Sequence, residues 1–175
     1  MSGETRHPRP GSSGTPGLSA LNDAEAAEAA ATLRAVCAAE SWVRTLVEAR
    51  PYTSAGDLCA ASDAAVARLD ARGLAEALAR HARIGEPADH ERSRREQAGA
   101  VETGEGVRAA LREANRRYEA RFGHVFLIRA SGRSAEEMLA ALRARLDHDP
   151  ATEREVAREE LRTINRLRLE GLASE

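Results

Sequence analysis

The chain has 175 residues, enough for one domain with a real core, or for one domain and a tail. Alanine and leucine dominate, aromatic residues make up only 3%, and the formal charge is −2, so helices are favoured over sheets and nothing electrostatic points to a nucleic-acid partner. All 26 basic side chains other than histidine are arginine; the absence of lysine excludes Schiff-base catalysis, a lysine-tethered pyridoxal phosphate and a Walker A loop.

Residues 1–17 hold half of the six prolines, interspersed with glycine and serine, and have nothing to bury. This predicts a disordered tail ahead of a helical domain over residues 18–172. His7-Pro8-Arg9 lies in that tail, where no fold would hold a catalytic group in place. From Leu18 onward apolar residues recur at three- and four-residue spacing, the pattern of successive amphipathic helices.

Asn22 or Asp23 is placed to cap a first helix carrying Ala26, Leu33, Val36 and Cys37. A second, around residues 41–49, carries Trp42, Val43 and Leu46 and stops at Arg50-Pro51, because the residue before proline resists the helical region. Ser54 and Asp57 resemble a weak capping box for a third helix reaching about Leu69, and Gly73 starts a fourth that ends near His81. After a turn containing Pro87 and Asp89, a fifth helix is expected from about Glu91.

Gly104 and Gly106 interrupt the pattern before a sixth helix over residues 107–121, with Gly123 as its C-cap. Val125-Phe126-Leu127-Ile128 reads as a short, extended, buried connector, too isolated to make a sheet. Ser134 and Glu137 form a capping box for a seventh helix, and Pro150 marks the start of the last, to about Leu172. The expected fold is therefore an all-α, single-domain bundle of about eight helices.

Cys37 and Cys59 read as small buried hydrophobes rather than as a disulfide or metal pair. Histidines 7, 81, 90, 124 and 148 show no i,i+4 pairing, so no metal site is expected. No apolar run approaches the ~20 residues of a membrane span, and the N-terminus lacks a signal-peptide core, so the expectation is a cytoplasmic protein without a membrane partner.

His81 sits at a helix end beside the Arg83-Ile84-Gly85 loop, and Ser93, Glu96 and Gln97 share one helix face at i, i+3 and i+4. On spacing alone these residues fit either a solvated surface or a set of directional partners for a small polar ligand. The order His81-Ala-Arg-Ile-Gly85, Ser93-x-x-Glu96-Gln97, Asn115-x-x-Tyr118-x-x-Arg121-Phe122-Gly123, and finally Ile164-x-x-x-Arg168-Leu169, is more specific. Over most of residues 18–172 it resembles the OHCU decarboxylase family, which converts 2-oxo-4-hydroxy-4-carboxy-5-ureidoimidazoline to (S)-allantoin in urate breakdown. It departs from the family pattern at Ala82 and Val125, where proline is usual.

The resemblance implies a cofactor-independent carboxy-lyase acting on a small molecule, commonly as a homodimer. It implies His81 and Glu96 as the catalytic acid/base pair. Ser93, Gln97, Arg168 and the main chain of Phe126, Leu127 and Ile128 would bind substrate. Arg166 is the nearest rival to Arg168, whereas Arg83, Asn115, Tyr118 and Phe122 read as structural. Two other readings stay open: a divergent member acting on a related ureido-imidazoline, and a catalytically silent helical interaction module that keeps the fold.

Overall fold

The computed structural model describes residues 15–84 and 105–175. Within them lie eight helices and no strand: α1 (Pro16–Asp23), α2 (Ala26–Val36), α3 (Glu40–Glu48), α4 (Ala55–Ala67), α5 (Ala71–Ala79), α6 (Glu105–Phe122), α7 (Ala135–Arg145) and α8 (Pro150–Ser174). The all-α reading holds. The helix expected from about Glu91 falls outside the described residues, and the eighth described helix is instead α1.

That helix corrects the expected tail boundary. Pro16 is at the start of α1, and Gly17 lies so close to α8 that an added Cβ would sit 2.0 Å from the Leu172 carbonyl oxygen. The hydroxyl of Thr15 donates to the Ala173 carbonyl, so the domain begins before Leu18. Only eight residues long, this helix is made by packing Leu18 and Leu21 into the core, which no periodicity in so short a segment announces.

Asn22 does not cap the following helix. Its amide exchanges two hydrogen bonds of 2.9 Å with the backbone of Tyr52, joining α1 to the loop after α3, while Arg50 donates to the Leu21 and Ala24 carbonyls at the end of α1. The start of α5 also shifts. Asp70 is its N-cap, accepting from the Gly73 amide at 2.7 Å, so Gly73 lies inside the first turn.

The other signals act as read. Ser54 accepts from the Asp57 amide, Ser134 and Glu137 complete a reciprocal capping box, and Pro150 opens α8 behind Asp149. Gly123 ends α6 at φ 75°, in the left-handed region that a side chain disfavours. Cys37 and Cys59 are buried and free. None of the described helices is long and apolar enough to cross a membrane.

Two apolar clusters build the interior. The larger joins α1 to α5 with α8, through Leu33, Trp42, Leu46, Leu58, Leu78 and Leu161; the smaller joins α6, α7 and Ile84 through Leu111, Tyr118, Met138 and Leu142. The connector between α6 and α7 runs along the seam. Val125 and Leu127 turn to the larger cluster while Phe126, Ile128 and Ala130 turn to the smaller, the two-residue alternation of extended backbone. Both sides being apolar explains why this stretch reads as a continuous hydrophobic run.

Candidate active site

α5 ends at Ala79, and the backbone turns through His81, whose amide donates to the Leu78 carbonyl at 3.1 Å. The segment after it is anchored to α6 at two points. Asn115 donates from Nδ2 to the buried Ile84 carbonyl at 2.9 Å, and Arg83 meets both carboxylate oxygens of Glu119, at 2.5 and 2.9 Å. The Arg83 guanidinium holds the Glu119 carboxyl below its ordinary range by hydrogen bonding and charge, against a smaller opposing effect of burial. His81 therefore projects, half-buried, from a backbone fixed on both sides.

The connector forms the second wall. Its Leu127 carbonyl accepts from Nη1 of Arg145 at 2.7 Å, and the same guanidinium lies 4.6 Å from the centre of the Phe126 ring. Arg145 is paired with Glu153, which is fully buried in the first turn of α8. Burial pushes the Glu153 carboxyl up, but hydrogen bonds from Arg145 and Tyr118, the Arg145 charge and the His148 contact together hold it below the ordinary glutamate value. The Tyr118 hydroxyl is raised, first by burial and then by donating to Glu153.

The third wall is one face of α8. Ile164, Leu167, Arg168, Gly171, Leu172 and Glu175 recur at three- and four-residue steps and close a cavity of about 280 Å³ with His81, Ala82, Ile84 and residues 126–131. Arg168 is half-buried and donates from Nη1 to the Val36 carbonyl at 3.0 Å, which holds the guanidinium by the end of α2. The rival Arg166 points elsewhere, to Asp63 on α4 at 2.5 Å. The volume is just below the roughly 300–1,000 Å³ usual for ligand pockets, which suits a small molecule.

The structure thus brings His81, Arg168, Phe126, Leu127 and Ile128 to one cavity. Ser93, Glu96 and Gln97 lie outside the described residues, as do His7 and His90. Of the described histidines, His124 packs against Tyr118 and Phe122, and His148 contacts Glu153; neither lines the cavity. Among the described residues no three His, Cys, Asp or Glu side chains gather to hold a metal.

Sequence reasoning missed Arg129 and Ser131 in the lining, and it missed Arg145 and Glu153 behind it. Arg129 and Ser131 directly follow the expected wall, and extending that wall would have found them. The rest of the α8 face follows from taking Arg168 as a reference and stepping by three and four. Nothing local marked Arg145, one arginine among 26, as buried.

Comparison with known proteins shows the family and the fold. The family model described as OHCU decarboxylase matches residues 22–170. The uric acid degradation bifunctional protein TTL of Arabidopsis thaliana is 31% identical over 147 residues, covering 79% of this chain and 45% of that protein. The 2-oxo-4-hydroxy-4-carboxy-5-ureidoimidazoline decarboxylase of Amia calva is 38% identical over 81 residues, 46% of each chain. The chain thus spans about half the length of the curated relatives it matches. A crystal structure of OHCU decarboxylase in the presence of (S)-allantoin superimposes with a TM-score of 0.76 at 26% identity, covering 87% of this chain and all of the other. A crystal structure of (S)-allantoin synthase shares the fold at a TM-score of 0.67 and 20% identity, over 89% of this chain and 53% of the other.

Proposed function

The chain belongs to the OHCU decarboxylase family, and from that premise we propose that it converts 2-oxo-4-hydroxy-4-carboxy-5-ureidoimidazoline to (S)-allantoin and carbon dioxide without a cofactor. The observation that carries this reading is the convergence of His81, Arg168 and the 126–128 main chain on one small cavity. A guanidinium offers planar, paired donors to a carboxylate or carbonyl. An imidazole moves protons near neutral pH.

In the proposed reaction the ring-carbon-to-carboxylate bond breaks and carbon dioxide leaves. Its electron pair passes into the conjugated ring C=N. The ring carbon bearing the ureido group then takes a proton on one face, and the neighbouring hydroxyl gives up its proton as the ring carbonyl forms. Arg168 and the connector amides orient the heterocycle. His81, with Glu96 as its partner, manages the protons, while Ser93 and Gln97 supply a hydroxyl and an amide to the ring and ureido groups. Enclosure by apolar Ile84, Phe126, Ile164 and Leu172 sets which face is protonated.

The test is to follow freshly generated substrate by circular dichroism with and without the protein. Accelerated formation of dextrorotatory allantoin supports the reading, and a racemate at saturating protein overturns it. A silent interaction module would also leave (S)-allantoin without effect on the thermal midpoint, whereas an intact site is stabilised by its product through mass action. We further propose a homodimer, as the family resemblance implies. Sedimentation at a monomer mass across working concentrations would refute it.

A further inference from the structure

We infer that Arg145 is a positioning residue for the cavity, fixing the main chain of residues 126–128 against α8. Its catalytic consequence rests on the decarboxylase reading. Arg145 is the last residue of α7, where a basic side chain ordinarily reaches into solvent; here it is turned inward and only 6% exposed. Burying that charge requires a partner, and Glu153, at 0% exposure, supplies it.

The guanidinium divides its donors between two walls. Nε and Nη2 both meet Oε1 of Glu153, at 2.8 and 2.5 Å, while Nη1 meets the Leu127 carbonyl at 2.7 Å. Because the group is planar and rigid, fixing two nitrogens on Glu153 fixes the direction of the third. The central carbon of the same group lies over the Phe126 ring, 4.6 Å from its centre. Phe126 and Leu127 both line the cavity.

Glu153 is itself held by two further side chains. The Tyr118 hydroxyl donates to its Oε1, and Nδ1 of His148 lies 2.8 Å from its Oε2. One buried cluster therefore ties α6, α7 and the connector to α8, the helix that carries Arg168. A lysine would keep the charge beside Glu153 but lacks the rigid planar group that aims a further donor at the Leu127 carbonyl. Holding the Leu127 carbonyl and Glu153 together requires the fork.

Arg145→Lys, which keeps the charge, is the variant to measure, beside Arg158→Gln. The latter removes a guanidinium that donates to the Val66 and Leu69 carbonyls at the end of α4 and does not line the cavity. Amide hydrogen exchange over residues 126–130 and steady-state turnover are read well below every thermal midpoint. In Arg145→Lys exchange of those amides should quicken about 10-fold and kcat should fall roughly 10- to 100-fold with KM within about threefold, as expected for lost alignment. Arg158→Gln should lower the midpoint and leave both readouts near wild type.

Unchanged exchange in Arg145→Lys overturns the inference, as does quickened exchange with wild-type kcat, or an equal loss of turnover in Arg158→Gln. If Arg145→Lys does not fold, Tyr118→Phe removes one donor from Glu153 without stranding a charge, and the same amides must quicken, by a smaller factor. Should the wild-type protein not turn over the substrate at all, the decarboxylase reading fails by itself, and amide exchange still decides whether Arg145 holds the connector.

Discussion

Asn115 donates from Nδ2 to the carbonyl of Ile84 at 2.9 Å, buried from solvent, and so couples the middle of α6 to the segment that starts with His81. The motif Asn115-x-x-Tyr118 is explained by this bond and by the hydroxyl of Tyr118 one turn later, which reaches Glu153. Two residues on one face of α6 thereby support two different walls of the cavity.

Asn115→Ala leaves the Ile84 carbonyl buried without its donor, which costs about 1–3 kcal/mol of stability. Turnover should fall more than stability alone accounts for, because the His81 segment loses an anchor. Chemical denaturation together with kcat at a temperature where the variant is folded checks both; full turnover in a destabilised variant would detach Asn115 from the site.

His81→Asn keeps hydrogen-bonding capacity and approximate size but cannot exchange a proton near neutral pH, so the fold should persist while turnover falls about 10²–10⁴-fold. His124→Asn should cost little, since that ring packs outside the cavity against Tyr118 and Phe122. The opposite ranking would move the acid/base centre to the end of α6.

The helices were legible because the apolar period and the capping residues agree: Ser134 with Glu137, Ser54 with Asp57, Gly123 at φ 75°. The ends that were misread, at Pro16 and Asp70, are set by tertiary partners. α1 exists because Gly17 allows close approach to Leu172, and Asn22 is taken by Tyr52 across about thirty residues of chain. The residues of the cavity lining that carry a motif, His81 and Arg168, were readable. The supporting ones were not, because what distinguishes Arg145 from its neighbours is the cavity geometry behind it rather than its own surroundings in the chain.

The buried Glu153 carboxylate makes acid stability predictable in sign. Its folded pKa lies below the unfolded value of about 4.3, so its contribution is fully present above that value and is lost as pH falls through the lower folded pKa. Glu119, lowered by Arg83, acts in the same direction. Denaturation midpoints should therefore drop steeply below about pH 4. Glu119→Gln, at the more accessible of the two sites, should flatten that slope; an unchanged slope would remove Glu119 from the linkage.

Gly17→Ala would bring a methyl group to 2.0 Å from the Leu172 carbonyl oxygen, so α1 must move away from α8. The cost should be about 1–3 kcal/mol, the range for overpacking, despite alanine being the better helix former. Removing residues 1–14, which hold neither Thr15 nor Gly17, should leave the midpoint unchanged. A stabilised Gly17→Ala variant would show that the contact between α1 and α8 yields readily.

Gly171 tests where the ligand sits. It lies on the α8 face that carries Ile164 and Arg168, it lines the cavity, and an added Cβ there meets nothing within 4 Å. A side chain at this exposed position therefore has no backbone to displace and stands beside the cavity that Gly171 helps to line. Replacing a helical glycine removes a propensity penalty of up to about 1 kcal/mol, so Gly171→Leu should hold or raise the thermal midpoint. The same leucine takes space from a cavity of about 280 Å³, and KM should rise roughly tenfold or more as the heterocycle loses room beside Arg168. Stability and activity are then driven in opposite directions by one substitution, which general damage to the fold cannot produce. Wild-type KM in a folded Gly171→Leu protein would show that the substrate does not use the space beside Gly171.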